Sequence, residues 1–528
     1  MFPGLFPFGR GDPDEPRRVS VSRAQFLRHY VLLSSRRFAQ DTVYPLVAFD
    51  IVARHMALSR ATHYCRMGGA EQNVAIAHVS ESQLAALLEY DASCLAAARN
   101  NEPRPGVPPT LGSAKVLSNR VRAAAGYAGS NAQRQVQQRR RFGLQTLFGS
   151  AFVFVTASTK DNGSLTVAYL AGDVDASKLI HVGSRDLPTQ AQRFASSAKD
   201  AVAAARYFHR AFTTFFEVLL GYDMEAQRPL ARGGIFGHLE ALIAGVETQG
   251  EGTLHFHALG WIHGTPRLLS ELRNKLEDAF YREAFTAFAD GVQQQSVPLT
   301  VAKNCAQCAL PGNKIVAVAP GPGAFRKRSR GAAAVTARCM QCSADFAHDD
   351  LIGMALRRAL GDLLGEPVSA QDVETLLRPL VILPPHAWVE LAVGKIVMEV
   401  EDVRRRELAE AVVTTYMVVH CNVHLWQHCD SCFKQSRRTG DLGEGLFRYL
   451  YPREPTEVTV IYKQMCALPR RAIGSEYVNA YSSTIMLVMP TNHDIRLLAG
   501  RDAMYYALKY ALKDQQAITN SALLVAAF

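Results

Sequence analysis

Two histidines, His255 and His257, stand in a stretch of alternating residues that reads Thr-Leu-His-Phe-His-Ala-Leu-Gly over 253–260. Residues at i and i+2 of a β-strand point to the same face of a sheet, so the sequence predicts both imidazoles on one face. Two imidazoles placed in this way can chelate one divalent cation. Such pairs also occur by chance, but the polar segment 247–252 leads directly into the strand and supplies further candidate ligands.

Four cysteines form two CxxC pairs, Cys305 with Cys308 and Cys339 with Cys342. Two such turns can bring four thiolates together around one zinc ion in a tetrahedral site, and the loop between them can be long. The alternatives to a zinc site are buried free cysteines or a redox pair. A single CxxC motif would not distinguish these possibilities. The second pair, in a polar and glycine-rich setting, favours structural Zn²⁺. A closed site of this kind stabilises the chain and does no catalysis.

A second group of candidate zinc ligands lies within residues 421–432, and its members are Cys421, His424, His428, Cys429 and Cys432. Any four of them could form another zinc site, and satisfied polar residues are the alternative. Spacing alone does not choose between the histidines and the middle cysteine. Our preferred ligand set is Cys421, His424, Cys429 and Cys432.

Tyr506 and Tyr510 stand one turn apart on one face of a predicted helix, and Lys509 and Lys513 form a second pair on a neighbouring face. An amphipathic helix that buries its tyrosines is the commoner fate of such a pattern. Phenols beside ammonium groups also suit nucleophilic attack on a phosphodiester, because cations favour the phenolate and stabilise the charge that develops on phosphate. Both interpretations are open at this point.

The composition is that of a globular protein. The chain has 528 residues, 48% hydrophobic and 20% charged, which excludes disorder of the whole chain. A net charge of +10 permits a nucleic-acid partner without requiring one. No apolar run reaches the ~18 residues of a membrane span, and residues 1–10 do not read as a signal peptide. We therefore expect an intracellular protein without a membrane partner, in which the cysteines are not a disulfide framework.

Hydrophobic periodicity predicts the elements that must position these residues. Strands are expected over 151–157, 164–170, 253–260, 458–462 and 484–488. Helices are expected over 19–39, 80–99, 196–220, 350–366, 400–418 and 502–515. Ser80 stands three residues before Gln83, which is the spacing of a capping box at the start of the second helix.

The histidine pair and the later tyrosine pair together resemble the HUH endonuclease superfamily. Within it, the chain resembles the Rep, or Helitron helicase-like N-terminal, part of Helitron rolling-circle transposases, which is of the two-tyrosine type. The order and spacing of the matching segments agree over most of the chain. These segments are 5–11, 25–30, 36–39, 149–156, 246–257, 492–495 and 506–510, of which 246–257 is the most specific.

The resemblance implies an enzyme that nicks single-stranded DNA and transfers the strand during rolling-circle transposition. His255 and His257 would hold Mg²⁺ or Mn²⁺, with Glu247 as a candidate third ligand, and the metal would polarise the scissile phosphate. Tyr506 would attack to form a 5′-phosphotyrosine, and Tyr510 would serve a second strand transfer.

The resemblance also implies the partners of the chain and their location. Single-stranded transposon ends would be the DNA partner, with Lys509 and Lys513 among the residues that contact it, and the site of action would be the nucleus. Family members usually continue into a helicase domain. Here no GxxxxGK[ST] phosphate loop is found and the sequence ends at Phe528, so we expect that the helicase domain is missing from this chain. A further departure is Phe447-Arg448, where the family tends to place a Cys-Arg pair.

The implied fold is α+β, with an HUH-type antiparallel sheet that carries the histidines on a central strand and a tyrosine helix packed so that its phenols reach them. We expect a mainly helical N-terminal region, a core in two parts, a zinc-knuckle insertion and a helical region with the second Cys/His group. Their predicted bounds are 1–145 for the N-terminal region, 146–300 and 441–528 for the core, 301–350 for the insertion and 351–440 for the helical region.

A function of another class stays open beside the nuclease. A zinc-stabilised DNA-binding protein without turnover, either a domesticated or a decayed transposase, would share most of these features. A scaffold whose motifs are coincidental is a third interpretation. The presence of both histidines and both tyrosines favours the enzyme, because a decayed copy often loses at least one of them.

Overall fold

The computed structural model describes residues 2–497, except residues 12, 14, 68–73, 75–77, 101, 104, 107–130, 181–186, 249–251, 302, 309, 320–334, 425–432, 434–448, 450 and 462–466. Within these ranges, no helix is both long enough and apolar enough to cross a membrane. The chain divides between Leu144 and Gln145 into two compact units.

The N-terminal unit is helical in its described part, with α1 (Arg23–Val31), α2 (Tyr44–Met67) and α3 (Glu81–Asn100), and α4 (Asn131–Phe148) crosses the unit boundary along the chain. The predicted capping box precedes α3: the Gln83 backbone N–H donates to Ser80 Oγ at 3.3 Å, and the Ser80 N–H donates to Gln83 Oε1 at 2.9 Å. These two bonds satisfy backbone donors that have no partner within the helix.

The helix predicted over 19–39 is wrong beyond Val31, where α1 ends. Arg36 adopts a left-handed backbone conformation with φ of 56°, which an α-helix does not accommodate. The turn lets Phe38 become fully buried between aromatic rings, with centroids 5.2 Å from Phe6 and 4.5 Å from Tyr30. Burial of these rings outweighs the helical pattern of the sequence.

The second unit contains all the described strands. They are β1 (Val153–Ser158), β2 (Tyr222–Asp223), β3 (Arg228–Pro229), β4 (Leu239–Thr248), β5 (Leu254–Ile262), β6 (Ile315–Ala317), β7 (Val335–Cys339), β8 (Asp345–Ala347), β9 (Val460–Ile461), β10 (Ala467–Leu468) and β11 (His493–Leu497). Four of them form the main sheet in the order β11-β1-β5-β4, and every neighbouring pair is antiparallel. A three-stranded sheet follows the order β6-β7-β8, and β2-β3 and β9-β10 form two-stranded pairs.

The helices of the second unit flank these sheets. They are α5 (Leu165–Leu170), α6 (Ser177–Ile180), α7 (Gln190–Lys199), α8 (Ala201–Thr214), α9 (Leu269–Glu277), α10 (Ala279–Val292), α11 (His348–Leu364), α12 (Ala370–Ile382), α13 (Ala392–Glu399), α14 (Val403–Cys421) and α15 (Ser483–Val488). A π-helix at Phe215–Leu219 follows α8, and a 3-10 helix at Pro385–Glu390 precedes α13. Helices and antiparallel sheets together confirm the α+β class.

The two faces of the main sheet have different environments. Leu254, Phe256 and Ala258 lie on one face of β5, and all three are buried. The Phe256 ring lies 5.4 Å from Phe212 on α8 and 5.1 Å from Phe215 on the π-helix, centroid to centroid. This aromatic layer covers one face of the sheet, and the predicted histidines therefore lie on the other face.

Two predicted strands are helices instead. The segment 164–170 forms α5, whose Val167 packs with Ala203 and Ala204 of α8, and small side chains on α8 allow this close approach. The segment 484–488 belongs to α15, where Gln294 Oε1 accepts a hydrogen bond from the Ser483 backbone N–H at 3.0 Å. Short apolar runs fit a buried helix as well as a strand, so periodicity alone could not decide these two segments.

The helix predicted over 196–220 is interrupted. The strand predicted over 458–462 is shorter than expected: it forms at Val460–Ile461, residues 458 and 459 precede it, and residue 462 lies outside the described residues. Asp200 ends α7 and begins α8, and its carboxylate accepts a hydrogen bond from the Ala203 N–H at 2.8 Å. An aspartate that caps the next helix stabilises a break in what otherwise reads as one helical pattern.

Asp161 is a buried carboxylate that holds the start of β5. Its Oδ2 accepts a hydrogen bond from the Leu254 N–H at 3.1 Å, and burial raises its pKa from 3.8 to about 6. Between pH 3.8 and about 6, the Asp161 carboxyl group therefore keeps its proton in the folded state and loses it in the unfolded chain. This contribution to stability is complete below pH 3.8 and is lost as the pH rises through about 6.

We predict that Asp161→Asn removes this pH dependence. Between pH 4 and 7, the wild type should lose on the order of 3 kcal/mol of unfolding free energy relative to the variant, at about 1.4 kcal/mol for each pKa unit. Urea unfolding of both proteins across this range measures the difference in their free energies of unfolding. The contributions of other titrating groups cancel in this difference because both proteins share those groups. A difference in unfolding free energy that stays constant with pH would contradict the raised pKa of Asp161.

Candidate functional site

The register of the main sheet gathers polar side chains around the two histidines of β5. Glu247 on β4 lies directly opposite His255, and Ser158 on β1 lies opposite the same histidine from the other side. Thr156 on β1 lies opposite His257. Residues directly opposite each other in antiparallel strands project to the same face, so these five side chains share one face.

Three of these residues form a compact group of possible metal ligands. His257 Nε2 lies 2.9 Å from Glu247 Oε1, and the rings of His255 and His257 have centroids 4.6 Å apart. One ligand atom from each of the three residues lies within 4.8 Å of the others. Two imidazoles and one carboxylate can hold a divalent cation.

Each ring nitrogen of His255 has a hydroxyl partner on β1. Thr156 Oγ1 lies 2.6 Å from Nε2, and Ser158 Oγ lies 3.0 Å from Nδ1. Burial, with a smaller contribution from His257, lowers the pKa of His255 to about 4 against the opposing effect of Glu247. The ring is therefore neutral at pH 7, so a nitrogen lone pair can bind a metal once one hydroxyl gives way.

The ring of His257 is held by an aromatic neighbour. Phe154 on β1 stacks on it with a centroid distance of 5.8 Å and an interplanar angle of 8°. His257 is 8% exposed at its side chain, whereas Glu247 is 29% exposed. The carboxylate is therefore the side of the group that opens to solvent and to a ligand.

Sequence reasoning identified Glu247, His255 and His257 but missed the two hydroxyls of β1. Thr156 and Ser158 occur at i and i+2 in the otherwise apolar strand Val-Phe-Val-Thr-Ala-Ser. Polar residues at that spacing, on the strand next to the histidines, are the signal that could have found them. The tyrosine and lysine predictions, Tyr506, Tyr510, Lys509 and Lys513, lie outside the described residues.

The four cysteines of the two CxxC pairs form a second possible metal centre. Cys305 Sγ lies 3.8 Å from Cys342 Sγ, Cys308 Sγ lies 3.8 Å from Cys339 Sγ, and all four sulfurs lie within 4.8 Å of one another. A tetrahedral site with zinc–sulfur bonds of ~2.3 Å has sulfurs about 3.8 Å apart. The group could hold a metal such as zinc.

In both CxxC turns, a backbone N–H group donates a hydrogen bond to a cysteine sulfur and would stabilise a thiolate there. The Gln307 N–H donates to Cys305 Sγ at 3.3 Å, and the Gln341 N–H donates to Cys339 Sγ at 3.4 Å, at equivalent positions in the two turns. Asn313 Nδ2 also donates to the carbonyls of Cys305 and Cys308, at 2.9 and 2.8 Å, and so fixes the first turn.

The thiols of Cys339 and Cys342 differ in pKa. A hydrogen bond from the Cys342 backbone, helped by that of Gln341, lowers the pKa of Cys339 to about 7. For Cys342, a hydrogen bond from the Ala344 backbone lowers the pKa, but desolvation and the other three sulfurs raise it to about 12. Four adjacent thiols cannot all ionise without a cation, which agrees with the chemistry of a metal site.

The second predicted zinc cluster is only partly described. Cys421 ends α14, and burial raises the pKa of its thiol. The ring of His424 stacks on Tyr451 with a centroid distance of 5.4 Å and an interplanar angle of 3°. Cys429 and Cys432 lie outside the described residues, as does His428, so this ligand set stays a prediction.

The protein therefore combines an antiparallel sheet that carries one group of possible metal ligands with a separate four-cysteine group. Residues 26–260 match the family model described as Helitron helicase-like domain at N-terminus. The chain therefore contains a Helitron-related domain, which includes β1, β4 and both histidines of β5, and which indicates a transposon-related function and association with nucleic acid. No curated protein and no solved structure matches the chain significantly.

We predict that Cys308→Ser removes one equivalent of zinc from the purified full chain, because three thiolates do not complete a tetrahedral site. Elemental analysis by mass spectrometry measures the metal content. Cys94→Ser is the matched control, since Cys94 lies on α3 outside the four-cysteine group and should leave the zinc content unchanged. Equal zinc content in Cys308→Ser and the wild type would contradict a zinc site here.

Proposed function

We propose that the protein nicks single-stranded DNA and transfers the strand through a 5′-phosphotyrosine intermediate, as an HUH-type transposase in rolling-circle transposition. The observation that carries this proposal is the group of Glu247, His255 and His257, whose possible ligand atoms lie within 4.8 Å of one another. Both histidines lie inside the range that matches the Helitron helicase-like model.

The residues of the group fit a divalent metal. His255 is neutral at pH 7, His257 and Glu247 already lie 2.9 Å apart, and Glu247 faces solvent. One nitrogen of His255 would exchange its hydroxyl partner for the metal, and the other would keep its hydroxyl as a supporting partner. When bound, Mg²⁺ or Mn²⁺ would polarise the scissile phosphate. Because Mg²⁺ prefers oxygen ligands, the two imidazoles suit Mn²⁺ better.

The tyrosines supply the covalent chemistry in this proposal. The phenol oxygen of Tyr506 attacks the scissile phosphorus, the bond from phosphorus to the 3′ oxygen breaks, and the proton lost by the phenol is balanced by the proton that the 3′ hydroxyl gains. Tyr510 serves a second strand transfer. Lys509 and Lys513 bind phosphates and favour the phenolate. Attack of a 3′ hydroxyl on the phosphotyrosine reverses the exchange and joins strands without ATP.

The pairing of β11 with β1 supports an HUH-type core assembled from two parts of the chain, within 146–300 and 441–528. The four-cysteine group lies in the predicted insertion 301–350 and would be structural. In this proposal the second cluster adds another zinc ion, and the protein acts on transposon ends in the nucleus. A DNA-binding relic without turnover would lack the covalent step, so the experiments below distinguish it from the enzyme.

We predict that His257→Ala weakens Mn²⁺ binding by about tenfold or more, because a direct ligand should matter at least as much as a supporting partner. Electron paramagnetic resonance of free Mn²⁺ during titration measures the affinity. His263→Ala is the matched control, since His263 Nδ1 also lies 2.9 Å from a glutamate, Glu240, but its side chain is 70% exposed. Equal affinities for the two variants would contradict the metal site.

We predict that the wild type forms a metal-dependent covalent adduct with labelled single-stranded DNA on a denaturing gel. Tyr506→Phe should reduce the adduct to background, because the substitution removes only the attacking oxygen. Tyr510→Phe should retain more single-end cleavage, and Tyr505→Phe serves as the control. If the wild type forms no adduct with either metal on a range of sequences, the relic replaces the enzyme.

A further inference from the structure

The strand β11 adds a second charged pair to the face that carries the histidines. Asp494 lies directly opposite Thr156 of β1, and Thr156 lies opposite His257 of β5. Arg496 lies opposite Phe154, the residue whose ring stacks on His257. Because opposite residues share a face, Asp494 and Arg496 project on the same side of the sheet as the metal-ligand group.

The two side chains of this pair have different exposures. Asp494 is 12% exposed at its side chain, and its Oδ2 accepts a hydrogen bond from Arg496 Nε at 2.8 Å. Arg496 is 42% exposed. The contact ties the guanidinium to Asp494, whose backbone lies two strand spacings, about 10 Å, from that of His257. A half-exposed cation is thereby fixed beside the proposed metal site.

The backbone that carries this pair is held on both sides. The side-chain amide of Asn422 pairs with the backbone of His493, accepting its N–H at 3.0 Å and donating to its carbonyl at 2.9 Å. The amide of Gln293 accepts a hydrogen bond from the Leu497 N–H at 3.4 Å. These side chains act as an additional partner for the edge strand, so Asp494 and Arg496 stand on a rigid support.

We infer that Arg496 binds a backbone phosphate of the single DNA strand next to the scissile one, and that Asp494 is its positioning residue. The inference rests on the proposed function and extends its DNA-binding surface from the tyrosine helix to β11. A guanidinium is planar, always charged and matches the geometry of phosphate, and Arg496 contacts Asp494 through Nε. The alternative is that Arg496 serves only to neutralise a buried carboxylate.

The salt dependence of DNA binding separates these two roles. For single strands, the logarithm of the affinity falls with the logarithm of the salt concentration with a slope of about 0.7 for each neutralised phosphate. Arg496→Gln should therefore lower the magnitude of the slope for oligothymidine by about 0.7, measured by fluorescence anisotropy on the full chain without added divalent metal. Arg496→Lys keeps the charge and should keep the slope. If Arg496→Gln alone fails to fold, the double variant Asp494→Asn/Arg496→Gln removes the buried carboxylate together with its partner and should show the same loss of slope.

Two further variants complete the test. Arg54→Gln is the matched control, because Arg54 Nε also lies 2.8 Å from an aspartate, Asp50, but on helix α2 of the N-terminal unit, and its slope should equal that of the wild type. Asp494→Leu keeps the cation but removes the acceptor that anchors it, so it should weaken binding even though a negative charge that repels DNA is also lost. An unchanged affinity would overturn the positioning role of Asp494.

The inference and the proposed function can fail separately. A wild-type slope in Arg496→Gln, or a reduced slope in Arg496→Lys, would overturn the phosphate contact. The covalent adduct of the wild type is measured in parallel, so the nuclease proposal can stand when the phosphate contact fails. Equal losses of slope in Arg496→Gln and Arg54→Gln would show a general charge effect and would also overturn the inference.

Discussion

The pairing of β5 with β1 on one side and β4 on the other is the constraint on which the candidate site depends. It places His255 between Glu247 and Ser158, and it places His257 beside Thr156. A shift of the register by one residue would turn both histidines into the aromatic layer around Phe256. The burial of that layer therefore fixes the chemistry on the opposite face as well as the fold.

Much of this site could be predicted from the sequence because it depends on local periodicity. The alternation around His255 and His257 predicted a strand with both rings on one face, and CxxC spacing predicted the four-cysteine group. The short apolar runs that became α5 and α15 were predicted incorrectly, because their conformation depends on contacts with α8 and Gln294 that are distant in sequence. The hydroxyls of β1 were missed for the same reason.

The two possible metal centres differ in chemistry and, in the proposed function, also in task. Thiolates prefer zinc, and the four-cysteine group, with its two matching turns, suits a closed structural site. The group of Glu247, His255 and His257 opens to solvent at its carboxylate and lies beside the Asp494–Arg496 pair. A metal and a guanidinium on one rigid sheet would together present a positive surface to a DNA strand, although the carboxylates of Glu247 and Asp494 lie on the same face. In the proposed function, this arrangement would separate the stability of the fold from the binding of the substrate.

The most direct test of the account is to identify the residue that becomes linked to DNA. After reaction with single-stranded DNA and Mn²⁺, trypsin should release Tyr506 in a peptide of residues 502–509 and Tyr510 in a separate peptide of residues 510–513, because Arg501, Lys509 and Lys513 are cleavage sites. Mass spectrometry should find a 5′-linked nucleotide on Tyr506. A nucleotide on a residue other than Tyr506 or Tyr510, or no linked peptide at all, would contradict the account.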